Sequence, residues 1–420
     1  MSPDGLVDDV AMTDNHNHIY TDRSRLELKG KCPQAYYWNY LYHNRGIQLA
    51  REIPPPFALL TGTHTHDGIE GTLKGARPEE IAIAVANEYI REVNPIFDDI
   101  EDGPAKDNLR RQLTEQSQLV TALTYGWSKV RMPDYLATYE PIDIEREEEI
   151  TFMVGDVEIT LLTRTDILSK IRGSDNMVIH DLKSTGTADD KWIRQWRYDQ
   201  LTLTEYIAVE NRIGKQITGV IIEGLVKGRK SEWPEDSGNW SHNNPMIYAW
   251  YRDSDNDYQA KYKWRCELPH LMSKGKECPG GQNHTRSGYH KVSVADSYPG
   301  GIIAWIDHLT STDISVLQPY FITLPPITRS EWEVERWKRQ TLAREIDDTN
   351  HAREIERLIT IEPDTAALLL DHYFPMSSAH GNCFEWNTPC QYLDICWGSA
   401  DPDDPIKFKR REYNHPREGE

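Results

Sequence analysis

Residues 149–185 read EITFMVGDVEITLLTRTDILSKIRGSDNMVIHDLKST. In the first twenty of these, apolar and polar residues alternate, β-branched types are frequent, and Gly155-Asp156 interrupts the run. Period-two alternation broken by a turn pair predicts a β-hairpin over 149–168. NMVIHDLKST (176–185) is a short apolar run and predicts a buried strand. DKWIRQWRYDQLTLTEYIAVEN (190–211) is spaced as a helix, and ITGVIIEGLVKG (217–228) is strand-like again. Strand, strand, helix, strand is the order of an α/β domain with a sheet at its centre.

Working outward, CPQAYYWNYLYHNR (32–45) predicts a helix from Pro33, and the triple proline of PPPFALLTGTHTHDGIEGTL (54–73) suits a helix start. PEEIAIAVANEYIREV (78–93), a stretch over 105–131 and a short one before Pro141 are also spaced as helices. Residues 229–300 are polar and rich in Gly, Asn and Ser, which predicts an insertion without a core of its own. Helices return from Gly300 to about Leu370, and a cysteine-bearing stretch closes the chain. The expected organisation is a mobile leader (1–20), a core (21–228) with a helical insertion (75–145), a polar insertion (229–300), a helical segment (301–400) and a basic tail (401–420).

A chain of 420 residues with 38% apolar content can bury a large core. No apolar run approaches the ~20 residues of a membrane span, and MSPDGLVDDVAMTDNHNH lacks the basic-then-apolar form of a secretion signal. A cytoplasmic location, in a bacterium or a phage-infected cell, is expected. The formal charge of −20 excludes a broadly basic, nucleic-acid-coating protein. It leaves room for an enzyme with a local basic groove. Acid gathers in FDDIED (97–102) and EREEE (145–149), and base in VKGRK (226–230) and KFKRRE (407–412).

In IHDLKST, Asp181 and Lys183 share one strand face and Leu182 takes the other. Alone, the pair reads as a salt bridge at a strand end. Asp166 ends the preceding apolar strand; if the two strands are neighbours, Asp166 and Asp181 converge. Two adjacent carboxylates repel unless a cation sits between them, and oxygen ligands favour Mg²⁺ or Mn²⁺. In GTHTHDGIE (62–70), His66 and Glu70 stand four apart on one helix face. His64 is the alternative to His66, and alone either is an ordinary surface histidine.

Taken in order, these residues resemble the PD-(D/E)XK nuclease superfamily, in particular its RecB-like branch. Gly62, His66 and Glu70 fit its G-x-x-x-H-x-x-x-E helix, Asp166 its first acidic residue, and Asp181-Leu182-Lys183 its D-x-K strand. Gln200 fits the start of its Gln-x-x-x-Tyr helix, but Thr204 stands at i+4 and the next tyrosine is Tyr206. The resemblance implies a restriction-endonuclease-like core, a mixed β-sheet flanked by helices. It also implies a Mg²⁺ or Mn²⁺ site of Asp166, Asp181, His66 and the carbonyl of Leu182, with Lys183, Gln200 and Glu70 completing the catalytic set. The implied activity is phosphodiester hydrolysis on DNA.

NCFEWNTPCQYLDICWG (382–398) holds three of the six cysteines, Cys383, Cys390 and Cys396. Clustered thiols in a reducing compartment point to metal or cluster ligation. Some relatives in the RecB-like branch, including AddB-type, CRISPR-adaptation and phage nucleases, carry an iron–sulfur cluster with one cysteine before the core and three after it. Cys32, in KCPQAYYWNY, matches that early position. The resemblance therefore implies a [4Fe-4S] cluster on Cys32, Cys383, Cys390 and Cys396 that staples the N- and C-terminal segments. Structural zinc is the alternative, although its tight C-x2-C knuckles are absent. Six residues separate Cys383 from Cys390, where many relatives have two; Cys266 and Cys278 read as spare thiols.

The expected function is exonucleolytic cleavage of single-stranded DNA ends, with a helicase or recombination partner and no membrane. Its rivals are a catalytically silent nuclease-fold scaffold and a zinc-stapled protein of unrelated function. The sequence leaves the oligomeric state open.

Overall fold

Six strands build one sheet in the computed structural model, which describes residues 18–50, 55–98, 100–200, 202–228, 240–242, 244–260, 263–265, 290–377, 383–384 and 389–412. They are β1 (His18–Asp22), β2 (Tyr139–Val154), β3 (Val157–Ile171), β4 (Met177–Thr185), β5 (Val220–Val226) and β6 (Phe321–Thr323). The hairpin β2–β3 turns at Gly155-Asp156 but reaches back to Tyr139, ten residues before its alternation becomes readable. The charged run 145–149 is part of this edge strand: Arg146, Glu147 and Glu149 are exposed, Glu145 is half-buried and Glu148 is buried.

A strand has two hydrogen-bonding edges. β2 occupies one edge of β3 over its whole length, so β1 and β4 divide the other. β1 runs parallel along Glu158 to Leu162, and β4 runs antiparallel along Ile167 to Lys170. The β3 edge from Thr163 to Asp166 therefore lies in a fork between two strands. β4 continues parallel to β5, and β6 closes the sheet antiparallel to β5. Residues 18–20, expected in a mobile leader, belong to β1. Asp166 does not end its strand; it lies five residues inside β3, at the fork.

The helices needed below are α1 (Arg23–Lys31), α2 (Pro33–Tyr36), α3 (Phe57–Leu73), α4 (Pro78–Val93), α5 (Pro104–Val130), α6 (Met132–Thr138), α7 (Asp190–Gln195), α8 (Thr202–Ile213), α9 (Gly301–Thr312), α10 (Glu331–Leu358) and α11 (Pro363–Tyr373). On one sheet face Ile167, Leu182 and Leu225 pack with Leu123 and Trp127 of α5 and Trp305 of α9. On the other, Leu168, Ile179 and Ile222 pack with Tyr206 and Val209 of α8. The span 229–300, expected to be an insertion without a core of its own, sends Met246, Ile247 and Ala249 into the first of these clusters. The helix expected over 190–211 is broken: α7 ends at Gln195 and α8 begins at Thr202. Arg329 holds the break open by donating to the carbonyl oxygens of Arg197 (3.1 Å) and Asp199. No helix among the described residues is long and apolar enough to cross a membrane.

Beneath the sheet a buried ion network braces β4, β5 and α6. Arg131 donates two bonds to Glu223 (3.0 and 2.9 Å), His180 Nδ1 lies 3.0 Å from the same carboxylate, and Thr323 Oγ1 donates at 2.8 Å. Burial raises the Glu223 pKa, but His180 and Arg131 outweigh it and pull the group down to about 2. A depressed carboxylate pKa stabilises the fold above the unfolded value of about 4.5, and that stability is lost as pH falls toward about 2. The contribution is on the order of 3 kcal/mol. Glu223→Gln should therefore be less stable than wild type at pH 6, with the gap closing between about pH 4.5 and pH 2. Urea titrations across that range check it, and a gap independent of pH would show that the charge is not what stabilises.

Candidate active site

The fork is where chemistry-bearing side chains collect. The last β3–β4 register pair before it is Ile167 with His180, so Asp166 and Asp181 face each other where the strands part. Asp166 replaces the lost backbone acceptor: Leu182 N–H donates to its Oδ2 at 2.7 Å. Asp181 is fully buried and pairs with Lys183 through Oδ1. Lys183 Nζ also lies 3.3 Å from the carbonyl oxygen of Leu182. Leu182 points into the core on the opposite face.

α3 crosses the end of β4 closely because residue 62 is glycine. A Cβ there would lie 2.5 Å from Ser184 Oγ. One turn on, His66 meets the acid pair. Its Nε2 is buried and has no hydrogen-bond partner among the described residues. Burial first, then Lys183, lowers its pKa to about 3, so the imidazole is neutral with a free ring nitrogen. His64 faces away: its Nε2 lies 2.9 Å from Glu92 and its ring packs edge-on against Tyr89. Glu70, a turn beyond His66, is buried beside a recess of about 640 Å³ that Glu145, Asp67 and Arg164 also line. Glu145 carries a positive φ of 53° opposite Asp166 and bonds Arg164 at 2.5 Å. Burial, then the neighbouring Glu70, raises the Glu145 pKa.

Burial raises the Asp166 pKa, opposed by Lys183 and reinforced by Asp181. Burial also works against an ionised Asp181, but Lys183 and Arg23 outweigh it and hold that carboxyl below the usual range. One carboxylate thus holds two cations while its neighbour is poised to accept one, a division of roles set by environment alone.

Arg23 and Glu205 belong to this site and have no motif to announce them. Arg23, the residue after β1, donates from Nη1 to Glu205 Oε1 (2.6 Å) and to Asp181 Oδ2 (3.3 Å). Glu205 projects from the first turn of α8 and is 2% exposed. Gln200 lies in the break before α8 with its side chain exposed; its carbonyl accepts from Leu203 N–H at 3.1 Å. From this helix, the group facing Asp181 is Glu205. Tyr206, the nearest tyrosine, is buried in the core below.

Beyond α1, α2 runs into a nest of buried aromatics, Tyr36, Tyr37, Trp38, Tyr40 and Tyr42, closed by Phe374 and Tyr392. Cys32, at the start of α2, packs on this nest together with Cys390 and Cys396. Cys390 N–H donates to the Cys383 carbonyl at 2.8 Å. Burial raises the Cys390 thiol, and Cys32 and Cys383 raise it further. Burial, then Cys390 and Cys32, pushes Cys396 up to about 12. Cys390 and Cys396 are thus each within electrostatic reach of the other three thiols. The two chain ends are also stitched directly. Strand Ile47–Leu49 pairs with Phe408–Arg410, and Tyr392 Oη donates to the Ile47 carbonyl at 2.7 Å. Cys266, Cys278 and the last eight residues of the basic tail lie outside the described residues. Among the described residues no three His, Cys, Asp or Glu side chains stand as a ready ligand group; at the fork, the ion pairs of Asp181 with Lys183 and Arg23 fill that place.

The family model described as the PD-(D/E)XK nuclease superfamily matches residues 23–262, more than half of the chain. No curated protein matches it.

Proposed function

The chain belongs to the PD-(D/E)XK nuclease superfamily, and on that premise we propose that it hydrolyses DNA phosphodiesters with a divalent cation, as an exonuclease on single-stranded ends. The observation that carries this reading is the fork, where Asp166, Asp181, Lys183 and the free ring nitrogen of His66 come together.

Two carboxylates, a backbone carbonyl and a neutral imidazole with an unused lone pair are a donor set for Mg²⁺ or Mn²⁺. Asp166, Asp181, His66 and the Leu182 carbonyl would hold the ion, with Glu70 beside them. When bound, such an ion polarises the phosphate and acidifies a nearby water. The chain supplies the remaining functions. Lys183, oriented by Asp181, donates to the oxygens on which charge builds in the transition state. His66 stays unprotonated near neutral pH, so it does not compete for the ion with a proton. Gln200, exposed at the rim, positions the strand.

Single-stranded ends are favoured by the rim of the break. Tyr198 is 78% exposed, and with Lys191, Arg194 and Gln195 it borders a recess of about 530 Å³. Aromatic faces flanked by cations stack unpaired bases without demanding a sequence. A [4Fe-4S] cluster on Cys32, Cys383, Cys390 and Cys396 is part of this reading, supported by the packing of Cys32, Cys390 and Cys396 on one aromatic nest; it would cross-link both chain ends and take no part in hydrolysis. A strand-processing role in recombination, repair or replication, with a helicase or recombinase as partner, follows from this activity.

Digestion of a 5′-labelled linear single strand tests the reading. Mg²⁺ or Mn²⁺ should support stepwise shortening, EDTA should abolish it, and a circular single strand should survive. DNA binding without cleavage under any divalent cation would replace the enzyme with a silent scaffold.

A further inference from the structure

We propose that Arg23 is the phosphate-binding cation of this site and that Glu205 is the residue that positions it; the inference rests on the phosphodiesterase reading above. The two strands that share the β3 edge bring one cation each to the fork. β4 carries Lys183, and β1 delivers Arg23 from the opposite side. Both end on the same carboxylate, Asp181. A phosphate seated over that carboxylate meets a cation on each side.

The contacts of Arg23 divide into one strong anchor and two weaker ones. Glu205 Oε1 lies 2.6 Å from Nη1, Asp181 Oδ2 lies 3.3 Å from it, and Asp199 Oδ2 lies 3.8 Å from Nη2. A group that draws on the Asp181 oxygens weakens the Asp181 contact and leaves the Glu205 anchor in place. The guanidinium has five donors in a planar fork matched to phosphate oxygens, so an Arg anchored through one corner keeps others to offer.

Stability alone does not account for the pair. Glu205 is 2% exposed, and its Oε2 has no partner among the described residues. Buried ion pairs are frequently no more stabilising than apolar side chains of the same volume, and an unsatisfied buried oxygen adds a cost. Placing such a pair against the buried Asp181 makes sense if the guanidinium must be held at one spot for a ligand. The ligand chemistry that fits is a phosphodiester oxygen, at the point where Lys183 reaches from the other strand.

A chemical double-mutant cycle tests this against a purely structural role. Binding of a short single strand is measured in the Lys183→Ala background, which prevents cleavage. A second strand carries an uncharged methylphosphonate at the linkage that the wild type cuts first. Neutralising that linkage should weaken binding about 10- to 100-fold when Arg23 is present. With Arg23→Gln the penalty should shrink to within about 3-fold. Arg23→Lys keeps a counter-ion for Glu205 and should melt as the wild type does, yet show a penalty below about 10-fold, because the planar fork is gone. An undiminished penalty in either variant overturns the inference and leaves Arg23 a structural ion pair. A wild type that cuts no strand with Mg²⁺ or Mn²⁺ overturns the underlying nuclease reading as well.

Discussion

Asp181→Asn should lower kcat for strand cleavage by about a thousandfold or more, with a circular-dichroism spectrum close to that of the wild type and a Tm lowered only modestly. Asparagine has the shape of aspartate and keeps one oxygen to accept from Lys183 or Arg23, which reach different oxygens of Asp181, while its NH2 turns toward the other cation; the fork keeps its packing but loses one of the two bonds. It also loses the charge that orients Lys183, and the anionic oxygen that a divalent ion would need. Removing one preorganised electrostatic contact to a transition state typically costs about 10²–10³ in kcat, and losing an ion ligand adds to that. Lys183→Ala should lose a comparable factor, and the double variant little more, because the two residues act as one unit. The loss should fall on kcat, with KM nearly unchanged. Wild-type turnover by Lys183→Ala would remove the assignment of the site. A fall in Tm that tracks the loss of activity would recast Asp181 as a structural residue.

How much of this was legible in the sequence depends on how local the determining contacts are. The hairpin was readable from period-two alternation between Glu149 and Leu168, and the shared face of Asp181 and Lys183 follows from the pleat alone. The convergence of Asp166 with Asp181 needs only adjacent strands. The fork that makes the convergence useful was not readable, because it depends on β1. That strand is five residues long and pairs in parallel with residues 140 positions downstream; too short to show a period, it passed for a leader. Arg23 and Glu205 were missed for the same reason. Their contact spans 182 positions, and no local spacing encodes it. The break that places Gln200 outside a helix is imposed by Arg329, about 130 residues away. The charges in 145–149 masked an edge strand, on which Arg146, Glu147 and Glu149 face solvent as a guard against unwanted pairing.

Cys390→Ser should abolish the brown colour expected of the purified protein and lower its Tm by about 7 °C. The colour follows from iron–sulfur charge transfer, so visible absorbance reads occupancy directly; a colourless wild type with stoichiometric zinc would reject the cluster. The stability effect follows from chain entropy. Cross-linking position 32 to position 390 closes nearly the whole chain into a loop, and that removes unfolded-state freedom on the order of 6 kcal/mol. With about 2.1 cal/mol/K of unfolding entropy per residue over 420 residues, that converts to the shift given. Complete unfolding is not expected, because the Ile47–Leu49 and Phe408–Arg410 strands stay paired and the aromatic nest stays buried. Asp166, Asp181, Lys183 and His66 lie on other elements, and α1 links the fork to Cys32 only through Arg23, so cleavage at low temperature should persist in the variant. Cys32→Ser should match Cys390→Ser in both readouts, and the double variant should add almost nothing, since one lost ligand already opens the cross-link. Additive losses from the two substitutions would mean that the thiols contribute only through their own packing against Trp38 and Tyr392, with no shared group between them.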